Sequence, residues 1–218
     1  MRAKAKVVSD IAFVGIIPVI RAKNPDHIIP LCDALVEGGI SVLELTMTIP
    51  NALEVMKRVI AHFGQRALVG MGSILDAKMA RAALDAGAEF LVTPITKIDV
   101  AAAARNANRA VILGAYTPTE AQLAHESGAD FVKIFPAETL GSVYIKALRA
   151  PMPHLRIVPT GGVTLENCGE FLQAGAAALG AGSSLVSQKV VDAANWEELQ
   201  KTASAWTAAV KLAREKKS

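Results

Sequence analysis

The sequence predicts an α/β protein: a single-domain (β/α)8 TIM barrel over residues 1–218, with a short N-terminal helix and a C-terminal helix. Three observations predict it. First, four segments repeat one grammar, a helix end, a glycine and then an apolar strand, at residues 37–45, 85–92, 126–134 and 173–179. Their glycines, Gly39, Gly87, Gly128 and Gly175, suit the left-handed position that stops a helix. The spacings of 48, 41 and 47 residues between them each hold two strand–helix units. Second, unbroken apolar strands interleaved with helices mark a parallel sheet covered on both faces. Third, eight such units fit closure into a barrel. The alternative, an open doubly wound sheet, lacks its Gly-x-Gly-x-x-Gly turn after the first strand.

In chain order, the first strand is read at residues 13–20 and ends at Arg21. Asn24 and Pro25 open the helix behind it as cap and first helical residue. The second strand carries Glu44 and Thr46, and Pro50 and Asn51 open the next helix. The third strand is read at 67–71, the fourth at the end of 85–92, and Ala101 to Ala104 belong to the helix that follows. The fifth, at 110–113, leads into Thr117, Pro118 and Glu120, a helix start. The sixth carries Lys133; the seventh, at 155–158, precedes a helix opening at Thr164 to Asn167. The eighth closes the 173–179 segment, and residues 196–215 carry apolar side chains at helical spacing.

Composition excludes several classes. With 52% hydrophobic residues the chain buries one large core, although 218 residues is short for this architecture, which typically has ~250. A formal net charge of +3 leaves no electrostatic footprint for nucleic acid. The basic residues at the two ends, Arg2 to Lys6 and Lys211 to Lys217, read as solvated helix faces. No run reaches the ~18 apolar residues of a membrane helix, and no signal peptide is visible. Cys32 and Cys168 stand far apart, as free thiols do in a reducing cytoplasm. His27, His62, His125 and His154 show no ligand spacing, so no metal site is expected. Trp196 and Trp206 read as packing residues.

In such a barrel the chemistry sits at the C-terminal strand ends, where two charges stand out. Lys133 lies inside the apolar run from Phe131 to Phe135, and Glu44 lies inside the run from Val42 to Thr46. Lysine and glutamate are almost never fully buried unpaired. One reading is that each neutralises the other. The other is an amine desolvated as a nucleophile toward carbonyls, with a carboxyl that moves protons. A plain apolar pair would often serve stability as well as a buried ion pair, which favours the functional reading. Gly161 and Gly162 after strand seven, and Gly182 and Ser183 after strand eight, fall where phosphate is commonly held in these barrels.

Four motifs, Lys133-Ile134-Phe135-Pro136-Ala137-Glu138, Pro159-Thr160-Gly161-Gly162-Val163, Glu44-Leu45-Thr46 and Gly70-Met71-Gly72-Ser73-Ile74-Leu75, together resemble the 2-keto-3-deoxy-6-phosphogluconate (KDPG) and 4-hydroxy-2-oxoglutarate aldolases. That family includes the phosphogalactonate aldolases, and the similarity spans roughly residues 11–213. The resemblance implies a class I aldolase barrel: a carbon–carbon lyase (aldehyde-lyase) that cleaves a phosphorylated 2-keto-3-deoxy sugar acid to pyruvate and glyceraldehyde 3-phosphate. It implies an imine on Lys133, proton transfer by Glu44, and no metal or other cofactor. Ser73, where many members have threonine, and Thr160 would meet the pyruvate carboxylate. Pro94 and Phe135 would border the pyruvyl group, and Gly161, Gly162, Gly182 and Ser183 would hold phosphate. Some members place a carboxylate-binding arginine at the position of Thr48; here that contact falls to Arg21, after strand one. A cytoplasmic homotrimer of the Entner–Doudoroff route is also implied. Competing readings are a phosphosugar isomerase or epimerase on the same barrel, or a non-catalytic trimeric scaffold.

Overall fold

The structure, a computed structural model, describes residues 1–216, so Lys217, the last of the C-terminal basic residues, and Ser218 lie outside the described residues. Eight parallel strands make one sheet: β1 (Ile16–Ile20), β2 (Val42–Thr46), β3 (Leu68–Gly72), β4 (Phe90–Val92), β5 (Ala110–Ala115), β6 (Phe131–Ile134), β7 (Ile157–Pro159) and β8 (Leu179–Ala181). Each pairs with its sequence neighbour from β1 to β7, and β8 returns to pair with β1. The ring closes between β7 and β8 through a single parallel bridge, Thr160 to Gly180, and a hydrogen bond from the Ala177 N–H to the Ile157 carbonyl at 2.8 Å. Closure removes the open doubly wound alternative. Every residue of the eight strands is buried, which is why they read as unbroken apolar runs.

Two apolar layers result. The inner one, with Ile17, Val42, Leu68, Phe90, Ile112 and Phe131, fills the barrel. The outer one lies between the strands and the helices α2 (Ile28–Glu37), α3 (Ala52–Phe63), α4 (Ala77–Asp85), α5 (Ile98–Asn106), α6 (Pro118–Glu126), α7 (Gly141–Arg149), α8 (Cys168–Gln173), α9 (Gln188–Asp192) and α10 (Trp196–Glu215). Trp206 of α10 is fully buried there, as a packing residue should be.

The helix α1 (Lys4–Val14) corrects the first strand. Val7 and Ile11, one turn apart, plug the N-terminal end of the barrel beside Ile17 and Val42, while Phe13 is 81% exposed. Gly15, at φ 74°, ends that helix, so the strand starts at Ile16 and not at residue 13. Of the basic N-terminal residues Lys6 is exposed, as a solvated face requires, but Arg2 and Lys4 are half-buried. Arg2 reaches Glu89 at 2.6 Å and the carbonyls of Ala67 and Gln65, and Lys4 pairs with Asp130 at 3.0 Å. These contacts tie the plug to the strand starts.

The four repeat glycines do what the pattern requires. Gly39, Gly87, Gly128 and Gly175 have φ of 93°, 103°, 95° and 103°, and at each the next residue donates its N–H to the carbonyl five positions back, as Ile40 does to Leu35. This is the six-to-one bond of the Schellman motif. Asn108 and Ala194 make the same turn at φ 52° and 50° without a glycine to advertise it. Helix starts also follow the sequence. Thr117 and Glu120 form a complete capping box on α6, and Asn24 caps a 3₁₀ turn at Pro25–His27. The α8 helix begins at Cys168, after Thr164 and Asn167 have exchanged hydrogen bonds in a turn.

Candidate active site

Strand order places the two buried charges. Three strands separate β2 from β6 in either direction around the ring, so Glu44 and Lys133 stand on opposite walls of the barrel. Two-residue alternation stacks Glu44 above Val42, and Lys133 above Phe131, on the inward faces. Glu44 is 3% exposed and Lys133 7%. They form no ion pair with each other, and neither makes a hydrogen bond within the described residues. Mutual neutralisation would bring them into contact; the structure leaves a gap between an amine and a carboxyl.

Burial pushes the Glu44 carboxyl above the ordinary carboxylate range, and the charges of Lys133 and then Arg21 pull against that rise. A carboxyl raised toward neutrality is suited to give and take protons. The space for it comes from β3. A Cβ on Gly72 would lie 2.0 Å from the Glu44 Oε1, and one on Gly70 would meet the Phe90 ring at 2.5 Å. Both glycines face inward, paired with Thr46 and Glu44 across the ladder. They are vacancies that a carboxyl and an aromatic ring fill. Gly180 does the same for Thr160, whose Oγ1 lies 2.1 Å from where a Cβ would stand.

All eleven residues expected at the site line one cavity of about 750 Å³ at the C-terminal strand ends: Arg21, Glu44, Ser73, Pro94, Lys133, Phe135, Thr160, Gly161, Gly162, Gly182 and Ser183. Phe135 lies just past the end of β6 and is 36% exposed, so it borders the cavity and does not sheathe the lysine within the strand. Its ring centroid is 5.1 Å from the Lys133 Nζ. Ser73 holds φ 59°, a conformation costing a non-glycine residue about 1–2 kcal/mol and concentrated at functional sites. Thr48 bonds its hydroxyl to that of Thr46 at 2.7 Å, and Arg21 is the arginine that lines the cavity.

The two glycine loops present free amides. Gly161 and Gly162 have φ of 88° and 70°. After β8, the Gly182 carbonyl accepts from the N–H groups of Leu185 and Val186, so residues 182–186 make the expected helical turn. The Gly161 amide belongs to the Thr160–Gly180 bridge, whereas the amides of Gly162, Gly182, Ser183 and Ser184 have no backbone acceptor. Sequence reasoning missed Gly72 and Gly180 as space-makers, and Val19, Leu75, Glu138 and Gln188 as further lining residues. The glycine alternation in β3 was the available signal for the first.

A larger cleft of about 920 Å³ lies between α1 and the end of α10. Three of the cations along it, Arg2, Lys6 and Arg214, are engaged by Glu89, Asp10 and the Phe13 and Ala12 carbonyls, and the cleft holds none of the residues expected at the site. Among the described residues no three His, Cys, Asp or Glu side chains gather in a way that could hold a metal ion.

Similarity to known proteins identifies the family. The "2-dehydro-3-deoxy-phosphogluconate aldolase" of Haemophilus influenzae is 33% identical over 195 residues, covering 89% of this chain and 92% of that protein. The "2-dehydro-3-deoxy-6-phosphogalactonate aldolase" of Escherichia coli is 33% identical over 171 residues, covering 78% and 83%. A crystal structure of the KDPG aldolase from Legionella pneumophila, with pyruvate captured as a covalent carbinolamine, superposes with a TM-score of 0.85 at 28% identity, covering 91% of this chain and 97% of that one. The family described as KDPG and KHG aldolase matches residues 7–202, and with that span and these relatives the chain belongs to the KDPG and KHG aldolase family.

Proposed function

We propose that the protein is a class I aldolase that cleaves 2-keto-3-deoxy-6-phosphogluconate to pyruvate and glyceraldehyde 3-phosphate. The observation that carries this reading is the facing pair, Lys133 and Glu44, buried on opposite walls and out of contact. The Lys133 amine attacks the keto carbon, and the carbinolamine loses water to give a protonated imine. Glu44 relays the protons of these steps. The imine then acts as the electron sink. Glu44 takes the proton of the carbon-four hydroxyl, the bond between carbons three and four breaks, and its electron pair becomes an enamine. The aldehyde departs, the enamine is protonated at carbon three, and hydrolysis frees pyruvate and the amine. The imine supplies the electron withdrawal for which a metal would otherwise be recruited, so the scheme uses no metal or other cofactor.

Arg21, Ser73 and Thr160 are assigned to the pyruvate carboxylate, and Pro94 and Phe135 to the border of the pyruvyl group. Gly161, Gly162, Gly182 and Ser183 are assigned to the phosphate, on the strength of the free amides that their two loops present. Cytoplasmic location, the Entner–Doudoroff route and a homotrimer belong to the same reading. The phosphogalactonate and hydroxy-oxoglutarate relatives make those substrates its alternatives.

Comparing kcat/KM for the phosphorylated acid and its unphosphorylated analogue tests the substrate class. The phosphorylated acid is expected to be cleaved far more efficiently, because remote binding energy lowers the barrier at the reacting carbons. A Cβ at Gly182 meets nothing within 4 Å, so Gly182→Asp fits without strain and sets a carboxylate in the anion site. It should remove most of that preference and leave imine formation with pyruvate intact. Equal efficiencies in the wild type would shift the reading to an aldolase for hydroxy-oxoglutarate.

Gly72→Ala tests the space made for the base. Its methyl group would displace the Glu44 carboxyl, and turnover should fall by about 10²-fold, the scale of a misplaced catalytic group. Wild-type turnover in a folded Gly72→Ala protein would show that the carboxyl position does not matter.

A further inference from the structure

One charged side chain in the cavity has no part in the scheme above. Glu138 follows Lys133 by five residues, on the loop between β6 and α7, and lines the same cavity. It is exposed and makes no hydrogen bond or ion pair within the described residues. Its loop is anchored, because Ala137 donates its N–H to the Thr160 carbonyl at 2.8 Å and so ties the end of β6 to the end of β7. Glu138 therefore rests on Gly162. A Cβ added to that glycine would lie 2.2 Å from the Glu138 Cβ and 3.3 Å from its Oε2.

The other charged groups lining the cavity are Arg21, Glu44 and Lys133. Both cations act on Glu44. The glycine-loop end thus combines free amides, which attract an anion, with a carboxylate that no cation neutralises. Free amides alone would favour a phosphate dianion over any neutral group. A carboxylate beside them opposes the dianion by like-charge repulsion and accepts a strong hydrogen bond from a hydroxyl. Selectivity built on such a repulsive element is a general device.

We propose that Glu138 is a specificity-determining residue of this site: it reads the terminal group of the substrate, accepting a hydroxyl and opposing a phosphate dianion, and so limits the preference for phosphorylated keto-deoxy acids. The inference rests on the aldolase reading. It makes the protein an enzyme whose tolerance of unphosphorylated keto-deoxy acids is set by one loop carboxylate and not by the glycine loops alone.

The test is kcat/KM for the phosphorylated acid and its unphosphorylated analogue with wild type, Glu138→Gln and Glu138→Ala, alongside imine formation with pyruvate. Glu138→Gln removes the charge and keeps an acceptor. It should raise efficiency on the phosphorylated acid about two- to fivefold, mostly through a lower KM, the scale of one partly solvated charge contact. Glu138→Ala also removes the acceptor and should lower efficiency on the unphosphorylated analogue by a similar factor. A gain on one substrate is not an outcome of mere loop damage. Equal losses on both substrates would assign Glu138 to loop support and overturn the proposal, as would unchanged efficiencies with normal imine formation. A wild type that cleaves neither acid and forms no imine would instead overturn the aldolase reading, and this inference with it.

Discussion

Borohydride reduction in the presence of pyruvate should leave one three-carbon unit on Lys133, and Lys133→Ala should lose both the adduct and carbon–carbon cleavage. This is the largest effect expected from any single substitution, because it removes the covalent step, and turnover should fall by about 10⁶-fold or more. The structure sets Lys133 apart from other lysines. Lys97 stands 3.5 Å from Asp99, and Lys146 is exposed on α7. Only Lys133 among these three is buried on the barrel wall and open to the cavity. A peptide map with the adduct on Lys97 or Lys146, or with none, would sink the assignment.

Glu44→Gln should be the next most damaging change. It preserves shape and removes the base, so proton exchange at the pyruvate methyl group should drop by about 10²–10⁴-fold while imine formation stays detectable. The pH profile gives a second readout. A base must be ionised to take a proton, and burial has raised this carboxyl above its ordinary range. Exchange in the wild type should therefore rise with pH through a value above that of a solvated glutamate. Glu44→Gln should erase that limb. Exchange at the wild-type rate would mean that another group carries the proton.

The parts of this molecule legible in its sequence are those written in local terms. A charge inside an apolar strand is local, and Lys133 and Glu44 were found that way. A glycine at a helix end is local, and the four repeat glycines revealed the barrel. The first strand starts only at Ile16, although Phe13, Val14 and Ile16 continue one apolar run, and Val7 and Ile11 carry the helical spacing of the plug. Other features depend on pairing across the ring. That Gly72 makes room for Glu44, and Gly180 for Thr160, follows only from how neighbouring strands meet. The reach of Arg2 to Glu89 spans 87 residues, and no local pattern encodes it. That Glu138 lies against Gly162 likewise follows only from how the loops after β6 and β7 meet.

The ring is thinnest where the Thr160–Gly180 bridge joins β7 to β8, and the glycine loops at 161–162 and 182–183 continue directly from its two sides. An anion gripped by both loops is therefore also a clasp across the last seam of the barrel. A ligand that bridges both loops would bind the closed ring in preference to an opened one, and closure and occupancy would then be thermodynamically linked. At a ligand concentration one hundred times its dissociation constant, that linkage adds about 2.7 kcal/mol to the stability of the closed form. Substrate would thus serve as a reversible staple for the fold as well as the material it consumes.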